Sequence, residues 1–230
     1  MKKIILIIAL ATAAINLFSQ EERMYIMKDG VVMNEYLVSD IDSIIFYNPI
    51  DPSTVDEGVI INGVKWATRN VAAPGHFADN PEDPGMFYQW NRKVAWAATG
   101  SVSGWSNTAA AGTTWEKAND PCPAGWRVPT IEKLETLLNT EKVTKEWTTQ
   151  NGVNGYKFTD KTTNNSLFLP AAGYRYYSDG ALSSAGSGGY YWSSTQTDSG
   201  YAYYWNFGSG YAAWGYDYRS YGFSVRAVAE

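Results

Sequence analysis

After Met1 the chain carries Lys2 and Lys3 and then runs almost wholly apolar from Ile4 to Leu17, ahead of Phe18-Ser19-Gln20 and the charged Glu21-Glu22-Arg23. A basic start, an apolar stretch and a small residue at its end form the layout of a secretory signal peptide. A bilayer span takes about 20 apolar residues, more than this stretch holds. The expectation is a signal peptide over residues 1–19, cleaved after Ser19, with an uncleaved anchor as the alternative. No Cys lies in the segment, which excludes lipid attachment of the bacterial lipoprotein kind. Beyond it, Met24 to Lys28 and Val31-Val32-Met33 flank Asp29-Gly30, a strong hairpin signal. Ile41, Ile44, Ile45 and Phe46 suggest a third strand. Three short strands bury little apolar surface alone, so residues 20–48 read as a small β segment, a satellite or docking element. A turn-rich linker follows at 49–57, and the main domain spans 58–230.

In the main domain Val59-Ile60-Ile61 and Val64-Lys65-Trp66 flank Asn62-Gly63, a second hairpin signal. Ala72 to Gly85 is rich in Pro, Gly, Asp and Asn and reads as a long loop. The clearest helix covers Pro129 to Leu138. Thr130 can cap it, and Ile131, Leu134, Leu137 and Leu138 form one apolar stripe. Thr113 to Ala118 is a candidate shorter helix. After Gly152 the signals are strands and turns: Tyr156 to Phe158, Leu167 to Leu169, Tyr190 to Trp192, Tyr203 to Phe207 and Phe223 to Val228. Helices confined to the first half, with strands after them, predict an α+β domain.

Composition sharpens this. Of 230 residues, 15% are aromatic, and 17 Tyr and 10 Trp outnumber 8 Phe. The aromatics are thus mostly amphipathic, the kind favoured at binding surfaces. Most of the Tyr fall between Gly173 and Tyr221, a window rich in Gly, Ser and Ala. The net charge of −5 argues against nucleic acid as a partner, and one Cys with one His makes a zinc site a poor fit. His76 lies in a loop context, and a catalytic triad built on it needs a Ser and an Asp that the sequence does not place. Asp79, Glu82 and Asp83 read as solvated loop charge, with cation binding as the alternative. Glu132 and Glu135 read as a solvated helix face. Gly186-Ser187-Gly188-Gly189 precedes a strand and reads as a turn, not a phosphate loop. No catalytic constellation and no cofactor site emerges.

Six ordered motifs carry a resemblance: Gly63-Val64-Lys65-Trp66-Ala67-Thr68-Arg69-Asn70-Val71; Tyr88-Gln89-Trp90; Asn119 to Thr130, with Pro121-Cys122-Pro123 and Gly125-Trp126-Arg127; Leu169-Pro170-Ala171-Ala172-Gly173-Tyr174-Arg175; Tyr191-Trp192-Ser193-Ser194-Thr195; and Gly222-Phe223-Ser224-Val225-Arg226. The set resembles the Fibrobacter succinogenes major paralogous domain family of exported bacterial proteins, over residues 58–230. The N-terminal hairpin, ending in Asp42 to Phe46, resembles a leader piece of Bacteroidetes surface proteins. The resemblance implies a C-type-lectin-like fold. As scaffold, Trp126 is expected to pack on the core, with Arg127 offered to a carboxylate and Trp192 in a core strand. That family often carries a Cys in the last strand; here Ala227 stands there, so Cys122 is expected to be unpaired. Sugar-binding C-type lectins use Trp-Asn-Asp for calcium. This chain has Trp205-Asn206-Phe207, and Phe offers no oxygen.

From Asp198 to Tyr221 the sequence is dominated by Tyr, Ser, Gly, Ala and Asp, the chemistry of a paratope. The same five residues are among the products of randomising the two adenines of an Asn codon. Placed just before Gly222-Phe223-Ser224-Val225-Arg226, the stretch resembles the variable proteins of diversity-generating retroelements. The implied variable positions are Tyr201, Tyr204, Tyr211, Ala212, Ala213, Tyr216, Asp217, Tyr218, Ser220 and Tyr221, with Trp205, Phe207 and Phe223 as buried anchors. Trp214 does not follow from an Asn codon by adenine change; it joins the candidate binding residues or belongs to the scaffold. An ordinary Tyr/Gly-rich loop is the plainer alternative. The expected function is an exported, non-enzymatic binding protein. Its Tyr-rich C-terminal loops would meet a protein or glycan ligand at the cell surface, with no membrane span after signal removal. A structural cell-surface or pilus-associated component is the alternative.

Overall fold

A computed structural model describes residues 22–40 and 51–230. The expected signal peptide and the expected strand at Ile41 to Phe46 lie outside the described residues. The chain divides into two compact units, Met1–Pro49 and Ile50–Glu230. In the first, β1 (Arg23–Lys28) and β2 (Val31–Leu37) form an antiparallel hairpin. Asp29 and Gly30 at its turn take φ of 53° and 81°, the left-handed pair a tight two-residue turn needs.

The second unit contains β3 (Val59–Ile61), β4 (Val64–Trp66), β5 (Phe87–Gln89), β6 (Ala95–Trp96), β7 (Trp126–Arg127) and one α-helix, α1 (Ile131–Glu135). There follow β8 (Val143–Gln150), β9 (Val153–Asp160), β10 (Ser166–Pro170), β11 (Tyr174–Arg175) and β12 (Leu182–Ser183). β13 (Gly188–Gln196), β14 (Tyr201–Gly208), β15 (Tyr211–Tyr218), β16 (Gly222–Phe223) and β17 (Val228–Ala229) complete it. They pair as four sheets, in the orders β3-β4-β17-β7, β12-β11-β16-β5-β6, β10-β9-β8 and β13-β14-β15. All strand pairs are antiparallel.

The domain is therefore β-rich, and the α+β expectation, with the C-type-lectin-like architecture attached to it, is corrected. Two local causes stand out. The helix expected to Leu138 stops as α-helix at Glu135 and ends in a single 3-10 turn, Thr136–Leu138. Asn139 then turns its side-chain oxygen onto the N–H groups of Glu141 and Lys142, a local bond that competes with helix. Thr130 makes no side-chain cap. The helix expected over Thr113–Ala118 is only a 3-10 turn at Lys117–Asn119. There the Glu116 N–H bonds the Asn91 side chain, 2.8 Å away, instead of a carbonyl of its own segment.

The sheet β13-β14-β15 lies between two buried clusters. Alternation sends Tyr191, Trp205 and Phe207 to one face, where they meet Leu134 of α1 and Leu137 of the 3-10 turn after it, with Phe158, Leu167 and Leu169. Trp192 and Ala202 point to the other face and meet Trp90, Trp126, Val128, Phe223 and Val225. Phe207 lies so close to Gly189 that a Cβ there would sit 2.1 Å from its ring. Only glycine admits that approach. The segment expected as one strand from Phe223 to Val228 instead changes sheets. It leaves β16, gives the Ser224, Val225 and Ala227 carbonyls to the N–H groups of Trp192, Val71 and Ala67, and re-enters as β17.

Candidate functional site

The Tyr-rich tail is a hairpin, not a set of loops. β14 and β15 pair in unbroken register from Tyr201↔Tyr218 to Gly208↔Tyr211. The two edges of this sheet differ. β13 is covered: Ser194 N–H bonds the Pro129 carbonyl, and Trp192 and Tyr190 exchange bonds with Ser224. β15 is the bare edge. Just beyond it, Arg219 N–H bonds the Gly200 carbonyl at 3.0 Å. In an antiparallel ladder bonding alternates, so Tyr211, Ala213, Gly215 and Asp217 turn their backbone groups toward β14. The N–H and C=O of Ala212, Trp214 and Tyr216 then face outward. Among the described residues no backbone group meets them.

The side chains of β15 also alternate. Ala212, Trp214, Tyr216 and Tyr218 share a face with Tyr201, Tyr203, Trp205 and Phe207 of β14. Phe207, Trp205 and Ala212 at one end pack into the core. Toward the other end the face becomes an exposed aromatic ladder. Tyr203 meets Trp214 and Tyr216 at 5.7 and 6.4 Å, and Tyr201 meets Tyr216 and Tyr218 at 6.2 and 4.7 Å. A hydrogen bond with Tyr218 pushes the Tyr201 phenol up to about 12. On the opposite face Tyr211, Ala213, Gly215 and Asp217 run beside Tyr204, whose ring fills the space over Gly215. Tyr211, Trp214, Tyr216 and Tyr218 are 50%, 49%, 61% and 42% exposed.

The eleven candidate residues thus separate. Tyr211, Ala213, Trp214, Tyr216 and Tyr218 are exposed on β15; Tyr201 and Asp217 are half-buried beside them. Ala212 packs on one cluster, and Tyr204 and Tyr221 pack on the other. Ser220 is buried. Trp205, Phe207 and Phe223 are buried. Tyr203, absent from the candidate set, belongs to the ladder through its cross-strand contacts, which follow once β15 is known to pair with β14.

What holds the hairpin is a buried arginine the sequence did not single out. Arg219 bonds the carbonyls of Tyr201, Ala110 and Gly112 at 3.2, 3.2 and 2.8 Å, and also the Gln196 side chain and the Asp198 carbonyl. Its guanidinium lies 4.2 Å over the Trp90 ring. Arg175 does the same for the neighbouring loop, with five bonds to the carbonyls of Ala97, Thr99, Gly100 and Gly180. Arg226 bonds Asn70 and the Ala67 and Pro81 carbonyls, and burial lowers it to about 10. A planar fork of five donors suits such sets of carbonyls where an ammonium does not.

Elsewhere the chemistry is structural. The structure does bring a Ser and an Asp to His76. Ser53 Oγ is 2.8 Å and Asp51 Oδ2 is 3.5 Å from the same nitrogen, Nδ1. A relay needs the two on opposite ring nitrogens. Ser53 Oγ donates to Asp51, which caps the turn at Pro52–Thr54. Glu82, expected as solvated, is buried. It accepts from Gln150 and Asn151 at 3.1 and 2.5 Å and ties its loop to the β8–β9 turn. Among the described residues no group of three or more His, Cys, Asp or Glu side chains could hold a metal. An open depression of about 460 Å³, lined by Trp115, Lys117, Asp120, Arg127, Ser194 and Glu230, shares no residue with the hairpin. Arg127 is exposed there and makes no ion pair among the described residues.

Cys122 is unpaired and packs against the second cluster. Burial, then the Asp120 carboxylate, pushes its thiol well up. Thiolate is the reactive form. Iodoacetamide at pH 8 is therefore expected to label the native protein at least ten times more slowly than the urea-unfolded chain, by intact mass. No disulfide dimer should form without reductant; equal labelling rates or a dominant covalent dimer would show an accessible thiol.

Residues 141–228, which contain the whole hairpin, match a family described as a domain of unknown function, DUF8237. No curated protein and no solved structure matches the chain. Over that stretch, β8 to the first residue of β17, the chain is thus similar to DUF8237.

Proposed function

We propose that this chain is an exported binding protein that presents the β14–β15 hairpin to a protein or glycan ligand at the cell surface. The observation that carries the reading is the set of four exposed aromatics on β15, three on one face and Tyr211 on the other, set on a strand whose inner neighbour is packed on both faces. Exposed apolar area of this kind favours a partner over water, and Tyr and Trp dominate interface hot spots. Rigid rings also lose little entropy on binding. The lysine-led apolar start of the sequence supports export. The resemblance to variable proteins of retroelements is compatible with the exposed positions Tyr211, Ala213, Tyr216 and Tyr218, where side chains can change without repacking the core. Ser220 is the poorest fit, being buried.

The test is a glycan and protein array read with the mature protein and with a Tyr211→Ala, Tyr216→Ala, Tyr218→Ala variant. The variant is expected to lose at least 100-fold in affinity for whatever the parent binds, since central aromatic hot spots are each worth roughly 2 kcal/mol or more. Its urea unfolding midpoint should barely move. Full affinity in the variant places the binding site elsewhere.

A further inference from the structure

We infer that the bare edge of β15 accepts an extended segment of a partner polypeptide as a fourth strand, with a Lys or Arg side chain of that segment seated against Asp217. The inference rests on the reading of this hairpin as the recognition surface and specifies its mode and its ligand class. The outward N–H and C=O groups of Ala212, Trp214 and Tyr216 form a ladder half with no partner among the described residues. Natural edge strands are usually blunted by lysine, proline, a bulge or a covering loop. β15 carries no lysine, proline or bulge: its sequence is Tyr-Ala-Ala-Trp-Gly-Tyr-Asp-Tyr, and its pairing to β14 is regular throughout. Its last two residues are occupied, since the Asp217 side chain takes the Tyr218 N–H and Tyr177 packs on the Tyr218 ring, which leaves Ala212 to Tyr216 as the open edge. β13, at the other edge, is covered. The sheet is therefore open on one side only.

The charge of the occupant follows from what surrounds that edge. Between Gly173 and Tyr221 the charged residues are Arg175, Asp179, Asp198, Asp217 and Arg219. Both arginines are buried, with their donors committed to backbone carbonyls or the Gln196 side chain. Within that stretch the accessible charges are thus the three aspartates. Asp217 stands on β15 itself. It accepts one bond, from the Tyr218 N–H at 2.8 Å, and has no cation in ion-pair reach among the described residues. Burial beside the rings holds its carboxyl above the ordinary value, a burden that an incoming cation relieves. On the same face Ala213 is short and exposed and the Tyr204 ring covers Gly215, so a long side chain from the added strand would reach Asp217 across that ring. Burial, and then the nearby Asp217 carboxylate, raises the Tyr204 and Tyr221 phenols, so the cation would also meet aromatic faces. On the opposite face the partner's alternate side chains would lie against Trp214 and Tyr216, which suits β-branched or aromatic residues.

The test uses the mature protein and a positional library of nine-residue peptides, read by fluorescence anisotropy. Selected peptides should alternate β-branched or aromatic residues with a Lys or Arg, and Glu in place of that cation should weaken binding at least tenfold. N-methylation at alternate positions then reads the backbone. Methyl groups on the set facing β15 should abolish binding, and the same number on the other set should leave it within threefold. Asp217→Asn should erase the preference for Lys over Glu and retain the N-methylation pattern. Equal loss from both methylation sets, no preference for a cation, or no binding peptide at all would overturn strand addition. So would concentration-dependent dimerisation through β15, which would make a second copy the occupant. Loss of array ligands in the triple Tyr variant would still stand in each of those cases, so the two readings fail separately.

Discussion

Replacing Arg219 by Ala is expected to lower the unfolding free energy of the Ile50–Glu230 unit by about 3–4 kcal/mol, read from urea denaturation. The side chain is buried, and all five of its N–H groups are spent. Hydrogen bonds to charged groups contribute about 1.5–3 kcal/mol each, and they do not add in a network sharing one residue. Water reaches some of the orphaned carbonyls, which caps the loss. Arg219→Lys keeps the charge and the stem but not the fork, so it should recover less than half of the deficit. Full recovery by Lys would make charge, not geometry, the working feature. A loss below about 1 kcal/mol for Ala would remove Arg219 as the anchor of the hairpin.

The second large effect is expected at Trp192. Its side chain is fully buried, its ring lies 4.3 Å from Phe223 and its Nε1–H donates to the Tyr88 carbonyl at 2.7 Å. Trp192→Ala removes those contacts and opens a cavity between two sheets, which costs about 3–5 kcal/mol for a buried aromatic. Trp126, 7% exposed and edge-on to Phe77 at 5.7 Å, is expected near the lower end of that range. Calorimetric or urea unfolding of these variants beside the triple Tyr variant assigns scaffold and surface. If the Tyr variant unfolds and the Trp variants do not, the two have been exchanged.

The sequence displayed the turns better than the elements between them. Asn62-Gly63 does open a hairpin, with φ of 47° and 78°. The same dipeptide at Asn151-Gly152, with φ of 48° and 84°, joins β8 to β9 and was legible by the same rule. β8 itself, Val-Thr-Lys-Glu-Trp-Thr-Thr-Gln, hides because its polar residues are exposed or half-buried and only Val143 is buried. β15 hides for a different reason. Its core side carries Ala212 where a strand would ordinarily show Val or Ile, and its aromatics point outward, so hydrophobicity no longer marks burial. The aromatic cluster could be read from composition, but not its edge position, which depends on the register with β14. The helices were overstated because apolar spacing at Ile131, Leu134 and Leu137 reports a buried face and not its length. Arg175 and Arg226 were visible as members of the six motifs and Arg219 was not, and none of the three was visible as a role. Their partners are carbonyls of loops that no local pattern locates.

Those anchors also set an order of events in time. Arg226 reaches Asn70 across 156 residues, Arg219 reaches Ala110 across 109, and Arg175 reaches Ala97 across 78. Contacts of such separation form slowly, because the chain must close long loops before it gains anything from them. At a synthesis rate of about 5–20 residues per second, Asn70 emerges on the order of 10 s before Arg226 exists to meet it. The long loops of the first half therefore cannot settle while the chain is growing. A polypeptide whose closure waits for its last strands stays threadable until synthesis is complete, as the export proposed above would require.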